Sequence, residues 1–253
     1  MKGLAEFVMR GRFQALLVTV AGSGSLMFCW VSAAVVALVI LRKGVAAGLW
    51  LVFWGLLPAG VVAYAVGDSG PLSLLLGTTA LAIVLRNTVN LPLAVLASVA
   101  VGGLTGLAMV AFAGASLEQI VTYFGEFLAS LEQQLSQGDQ QIVLARPDAT
   151  QIAGMMGVGA GMTAVLCLLL ARYWQALLYN PGGFGGEFKA LYYPPAVAAL
   201  LALLTVGLAS MGASYRTWAM ICVIPLMFAG LALVHSRAEV RGQGKGWLAV
   251  FYV

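Results

Sequence analysis

Charge is scarce in this chain. Asp, Glu, Lys and Arg together make up 9% of its 253 residues, against roughly a quarter in an ordinary soluble domain. A soluble protein of this size must cover its outside with polar groups, yet 62% of these residues are hydrophobic. Lipid removes that requirement, because the outside of a helical bundle in a bilayer is free to be apolar. Cysteine and histidine are also sparse. Cys29, Cys167 and Cys222 all lie inside apolar stretches, which argues against a disulfide framework and for simple packing. The single His235 has no clustered Cys or carboxylate nearby with which to hold zinc. Beside Arg237, at the end of an apolar run, it reads as an interfacial anchor, and no metal or other cofactor is expected.

Enzyme motifs are missing. There is no G-x-x-x-x-G-K-[ST] and no G-x-G-x-x-G, so no nucleotide site is encoded. Neither G-x-S-x-G nor H-E-x-x-H occurs. The carboxylates nearest to the apolar runs, Asp68 and Glu187, sit at loop edges, which argues against primary proton pumping. No catalytic residue is expected. The net charge of +4 is not a nucleic-acid signature, because the basic residues stand singly or in pairs at the ends of apolar runs, as the positive-inside pattern requires.

What is present is a succession of those runs, and the fold expected is an all-α polytopic transmembrane bundle of about 8 segments, one integral membrane domain over 1–253. Residues 1–13 mix Lys2, Arg10 and Arg12 with Leu4, Phe7, Val8 and Phe13 and read as an interfacial N-terminal helix on the cytoplasmic side. Ala15 to Leu41 is continuously apolar; as one helix it is about 40 Å long, more than a ~30 Å hydrocarbon core needs. Gly22-Ser23-Gly24-Ser25 breaks it near the middle, and a hairpin of two short helices returns Arg42 and Lys43 to the side of Arg10 and Arg12. A hairpin or a strongly broken helix is therefore expected. Further runs cover about 45–66, 71–85, 89–113, 150–178, 193–213 and 217–234. Alternation puts Asp68, Arg216 and the 114–149 segment outside, and Arg86, Arg172, Lys189, Arg237, Arg241 and Lys245 inside. The implied location is a bacterial inner membrane with a cytoplasmic N-terminus.

The 114–149 segment is acidic and contains its own helix. Ser116 followed by Gln119 fits a capping box, Leu117, Ile120, Val121, Phe124, Leu128, Leu131 and Leu135 recur at helical spacing, and Gly138 ends the pattern. Its polar face has no Lys or Arg, so it reads as a periplasmic amphipathic helix on the outer leaflet, or as a lid over the bundle. After Lys245 only Gly246 to Val253 remain, about 12 Å of helix. Because a carboxylate in mid-bilayer is costly, a longer final crossing is expected.

Three groups of residues stand out. G-x-x-x-G pairs start at Gly44, Gly102, Gly157, Gly182 and Gly242; with 31 glycines, chance gives about four, so their number says nothing about dimerisation. The pairs Gly102/Gly106 and Gly157/Gly161 lie mid-helix and mark candidate close crossings, and a stripe of small residues, Gly11, Ala15, Thr19 and Ser23, runs up the first helix. The second group is Arg86, Asn87 and Asn90, read either as an ordinary turn with a snorkelling Arg or as part of a binding surface. The third is Arg172-Tyr173-Trp174-Gln175 leading to Tyr179, Asn180, Phe184 and Glu187 in a glycine-rich loop, read either as interfacial anchors around a chain reversal or as a binding segment. Both polar groups fall on the inner side, where Arg86 and Glu187 are positioned to pair if the segments meet.

The stretch LLLARYWQALLYNPGGFGGEFKAL (168–191), with short N-terminal helices before it and R-G-x-x-x-G-W from Arg241 to Trp247 after it, resembles the YybS-like family of bacterial multi-pass membrane proteins. The resemblance implies no activity. The helix pattern is similar to that of the substrate-binding S-components of energy-coupling-factor vitamin transporters, which dock a coupling subunit through A-x-x-x-A on the first helix. Here Ala15 is followed by Thr19 at the second position. S-components bind ligand from the outside, whereas both polar groups above face inward. The function expected on these grounds is a small-solute or vitamin-type binding and transport subunit needing a separate energising partner. The alternative is a membrane scaffold that docks partners through its cytoplasmic loops. Expected partners are membrane lipids, a membrane protein and a small-molecule ligand; nucleic acid is excluded.

Overall fold

The computed structural model describes residues 2–135, 143–242 and 247, and among them every regular element is helical. Among the described residues, five helices or helix pairs are long and apolar enough to cross a membrane: Val45–Val66, Gly70–Thr88, Leu91–Phe112, Ala149–Tyr179 and Ala213–Val240. Pro195–Ser210 is apolar but shorter. The expected final crossing, the helix-ending Gly138 and the outer part of the Gly242 pair lie outside the described residues.

The first apolar run folds as a hairpin. After α1 (Lys2–Arg10), extended backbone at Gly11 starts α2 (Arg12–Ser23), and the chain turns through 24–28 into α3 (Cys29–Lys43). The N-terminal helix is thus shorter than expected. Arg12 and Phe13 belong to α2, and Ala5 and Val8 are buried instead of lying on a surface. Gly22 permits the turn, since a Cβ there would lie 3.0 Å from that of Ser32. Across the hairpin the Ser32 hydroxyl donates to the Thr19 carbonyl at 2.9 Å. α3 is apolar on every side, and a helix of that kind must be enclosed. From Ser32 to Leu41 every residue is buried, with α2, α4 (Val45–Val66), α5 (Gly70–Thr88) and α9 (Ala149–Tyr179) packed around it.

The opposite case is α4. It is equally apolar, yet Phe53, Leu57 and Val61 project outward, 54–65% exposed. Surfaces of this kind also coat α7 (Ser98–Phe112), at Leu104 and Leu107, and α11 (Pro195–Ser210), at Leu203 and Val206. Only an apolar surrounding leaves such faces uncovered without cost.

The second part of the bundle is a close crossing of α7, α9 and α12 (Ala213–Val240). A Cβ on Gly102 would stand 2.7 Å from the Gly157 carbonyl oxygen, and one on Gly157 would stand 2.5 Å from that of Gly102. Gly106 has the Trp218 ring and the Ala153 carbonyl against it, and Gly161 has the Ser98 carbonyl and Ile224. The backbones meet here because no side chain separates them. Gly154, which sequence reading passed over, belongs to the same stripe and faces Thr217 and Trp218.

Several boundaries differ from expectation. The 89–113 run is divided at Ala97 into α6 (Leu91–Leu96) and α7. The acidic helix, α8, spans Gly114–Leu135, so Ser116 lies inside its first turn and does not cap it. The capping box is instead at α9, where Asp148 accepts from the Gln151 backbone N–H at 2.7 Å and the Gln151 side chain accepts from the Asp148 N–H. The segment after Asn180 is not simply a loop: Gly183–Lys189 forms the short helix α10. Finally, α9 continues past Arg172 to Tyr179 and its 31 residues span about 46 Å, so one end extends beyond a ~30 Å core.

Candidate functional site

Side-chain contacts sort the helix ends into two groups. At one end the Arg86 guanidinium donates to the Leu41 carbonyl, Arg42 lies 3.9 Å from the centre of the Tyr179 ring, and Lys189 pairs with Glu239. At the other, the Ser69 hydroxyl lies 3.4 Å from the Met109 sulfur, Gln151 donates to the Ala213 carbonyl, and Ser214 donates to Asp148. The first end carries Arg12, Arg42, Lys43, Arg86, Arg172, Lys189 and Arg237, with Glu187 and Glu239; the second carries Asp68, Glu118, Glu126, Glu132 and Asp148, with Arg146 and Arg216. These are the two sets that alternation along the sequence separates.

The basic end is fastened. Arg86 sits at the last turn of α5 and satisfies a carbonyl that the C-terminus of α3 leaves without an intrahelical partner. Its neighbour Asn87 is exposed. Asn90 caps α6, accepting from the Leu93 N–H at 3.0 Å. Between them Val89 holds a left-handed backbone, φ 50°, a conformation that is unusual for a β-branched residue. The expected pairing of Arg86 with Glu187 does not form. Glu187 pairs with Arg172 instead, through Nε at 3.3 Å and through Nη2, while Nη1 donates to Gln175. The chain reversal through Asn180 and Pro181 into α10 folds Glu187 back over α9, placing the nearer cation on its own helix hairpin. Phe184 lies between Tyr173, which it meets edge-on, and Phe188, to which it is tilted by 34°, and Phe188 meets the His235 ring at 5.7 Å. Asn180 ends α9, with its side chain against Gly183. The two polar segments are therefore neighbours joined through other groups: the end of α3 lies between Arg86 and Tyr179, and Tyr193 donates to the Pro92 carbonyl at 3.0 Å. Burial pushes the Tyr193 phenol well above its ordinary value and keeps it a donor.

The acidic end is open. A cavity of about 450 Å³ lies between α5, α7 and α9 and reaches the α2–α3 turn at Cys29. Asp68, Ser73, Thr105 and Thr163 supply polar groups to its wall, Met109 and Met155 supply flexible apolar surface, and Ile120 of α8 borders it. Concave space walled mainly by apolar groups with a few convergent polar ones is the usual form of a small-molecule site. Sequence reading missed it because its lining joins the turn at 67–74 to residues of α7, α8 and α9 far along the chain, with no shared motif.

Fold and cavity together define an all-helical protein with the apolar exterior of a multi-pass membrane bundle. Comparison with protein-family models, curated proteins and solved structures gives no match for this chain.

Proposed function

We propose that the protein is a solute-binding subunit of a bacterial inner membrane, with the basic end and N-terminus cytoplasmic, about eight membrane segments, and α8 on the outer face beside the binding cavity. The observation that carries this reading is the cavity at the acidic end, whose volume suits a small solute. The excess of Lys and Arg at the opposite end supports the orientation. With no nucleotide motif in the chain, transport would draw its energy from a separate partner. The resemblance to YybS-like proteins and to S-components is compatible with ligand entry from the outside. Docking through the first helix is not: Ala15 and Thr19 are 2% and 0% exposed, and Thr19 packs where Gly55 of α4 leaves room.

The test is mass spectrometry of small molecules released from the purified full-length chain. A compound retained by the wild type and lost from Thr105→Leu/Thr163→Leu, with the variant still monodisperse, is the expected result. Equal retention by both proteins would remove the cavity from consideration. A second reading, a scaffold docking partners at its cytoplasmic end, is favoured by α10, none of whose residues is buried. Recovery of a stable protein partner with no bound compound would select it.

A further inference from the structure

Several cations at the basic end have a partner on another element: Arg42 has the Tyr179 ring, Arg86 a carbonyl, Arg172 and Lys189 carboxylates. Arg12 and Lys43 are different. Both line one cavity of about 430 Å³ between α2, α3 and the start of α4, and among the described residues neither has a hydrogen bond or ion pair. No carboxylate lines that cavity. Two like charges facing one space repel each other, and an anion between them reverses the sign of the interaction.

The rest of the wall narrows the chemistry. Ala15, Val39, Ala47 and Leu51 are apolar, and Trp50 stands beside them, 41% exposed. From Val45, beside Lys43 at the rim, to Leu51, α4 advances about 9 Å, so the space begins cationic and ends apolar. Trp at such a height is the usual neighbour of headgroups. A free phosphate would satisfy the rim and leave the apolar wall empty; an amphiphile satisfies both. We infer that Arg12 and Lys43 hold the phosphate of an anionic phospholipid from the leaflet at the basic end, with an acyl chain against α4 at Ala47 and Leu51. Trp50 flanks the glycerol region. This site is separate from the cavity at the acidic end and stands whether or not that cavity binds a solute.

Native mass spectrometry of the detergent-purified full chain, titrated with phosphatidylglycerol or phosphatidylcholine, tests the inference. Each membrane-facing cation favours an anionic lipid roughly fivefold, so wild type should prefer phosphatidylglycerol by more than about tenfold. Arg12→Gln/Lys43→Gln should lose most of that preference, while Arg146→Gln/Arg216→Gln, at the other end, should keep it. Ala47→Leu, which fills the apolar wall and leaves both charges in place, should weaken lipid retention by itself and provides the reading if the double variant is not monodisperse. An unchanged preference in Arg12→Gln/Lys43→Gln overturns the inference, as does unchanged lipid retention in Ala47→Leu. Displacement of the lipid by glycerol 3-phosphate at equal concentration also overturns it, because the site would then hold a soluble anion.

Discussion

The two ends of this bundle are built on different plans. At the basic end, helix termini are joined by charged and aromatic side chains that reach from one element to the next: Arg86 to α3, Arg42 to α9, Glu187 to Arg172, Lys189 to α12. At the acidic end the ties are mostly hydrogen bonds, Ser69 to Met109 of α7, Asp148 and Gln151 to the start of α12, and Trp218 to the Thr150 carbonyl, and a cavity lies beside them, as one does between Arg12 and Lys43 at the basic end. The difference is one of chemistry: charged and aromatic side chains join the elements at the basic end, whereas helix-capping and neutral hydrogen bonds predominate at the acidic end.

That contrast yields a ranked set of tests. The largest effect belongs to Glu187→Gln. Its side chain and that of Arg172 are each 24% exposed, so removing one charge leaves the other partly desolvated without its partner. A loss of about 2 kcal/mol is expected, discounted from fully buried cases for the remaining solvent. Arg172→Gln should cost as much, and the double variant should show coupling above about 0.5 kcal/mol in thermal unfolding. Additive losses would mean that the basic end is not held by this pair.

Asp148→Ala comes next, at about 1 kcal/mol for loss of a helix cap. This fastening depends on pH. The Ser214 hydroxyl chiefly holds the Asp148 carboxyl below its ordinary value of 3.8; burial opposes it, and the Gln151 and Thr150 backbone N–H groups add to the lowering. A carboxyl whose folded value is depressed stabilises the fold above the unfolded value, and loses that contribution as pH falls through the folded one. Melting temperature followed from pH 6 downward should therefore drop more below about pH 4 in wild type than in Asp148→Asn. Parallel curves would show that the cap is not what responds to acid.

The smallest effect should come from the cavity wall. Ser73 donates to the Gly70 carbonyl at 3.0 Å in an exposed position, and Ser73→Ala should shift stability by less than about 0.5 kcal/mol. A larger loss would indicate that the acidic end is packed and fastened after all, and the contrast between the ends would fail.

The helices were legible in the sequence wherever an apolar run is bounded by turn residues. The hairpin followed from the excess length of the run through Leu41, and the grouping of helix ends from the alternation of charge. Side-chain partners were less accessible. Arg172 and Glu187 are separated by a reversal whose direction depends on the α10 turn, and Arg86 binds a backbone carbonyl, which no residue type announces. The Asp148-x-x-Gln151 box was readable, yet it lies beside an acidic helix whose own start, at Ser116, carried a similar pattern. The cavity was not legible, because the turn at 67–74 that supplies part of its wall reads as an ordinary chain reversal and the empty space depends on where separate helices stop touching.

The enclosure of α3 has a consequence for how the chain is made. Its ten buried residues are covered in part by α9, which begins 106 positions after Lys43 (149 − 43). At a ribosomal pace of about 5–20 residues per second, that covering arrives roughly 5–20 s after α3 is complete. During this interval the Ser32 hydroxyl already has the Thr19 carbonyl from within its own hairpin, whereas the side facing α9 must rest against lipid or the insertion machinery. The centre of the molecule is thus among the first parts synthesised and one of the last enclosed, and a nascent chain halted before Ala149 would present to quality control the surface that the finished protein hides most completely.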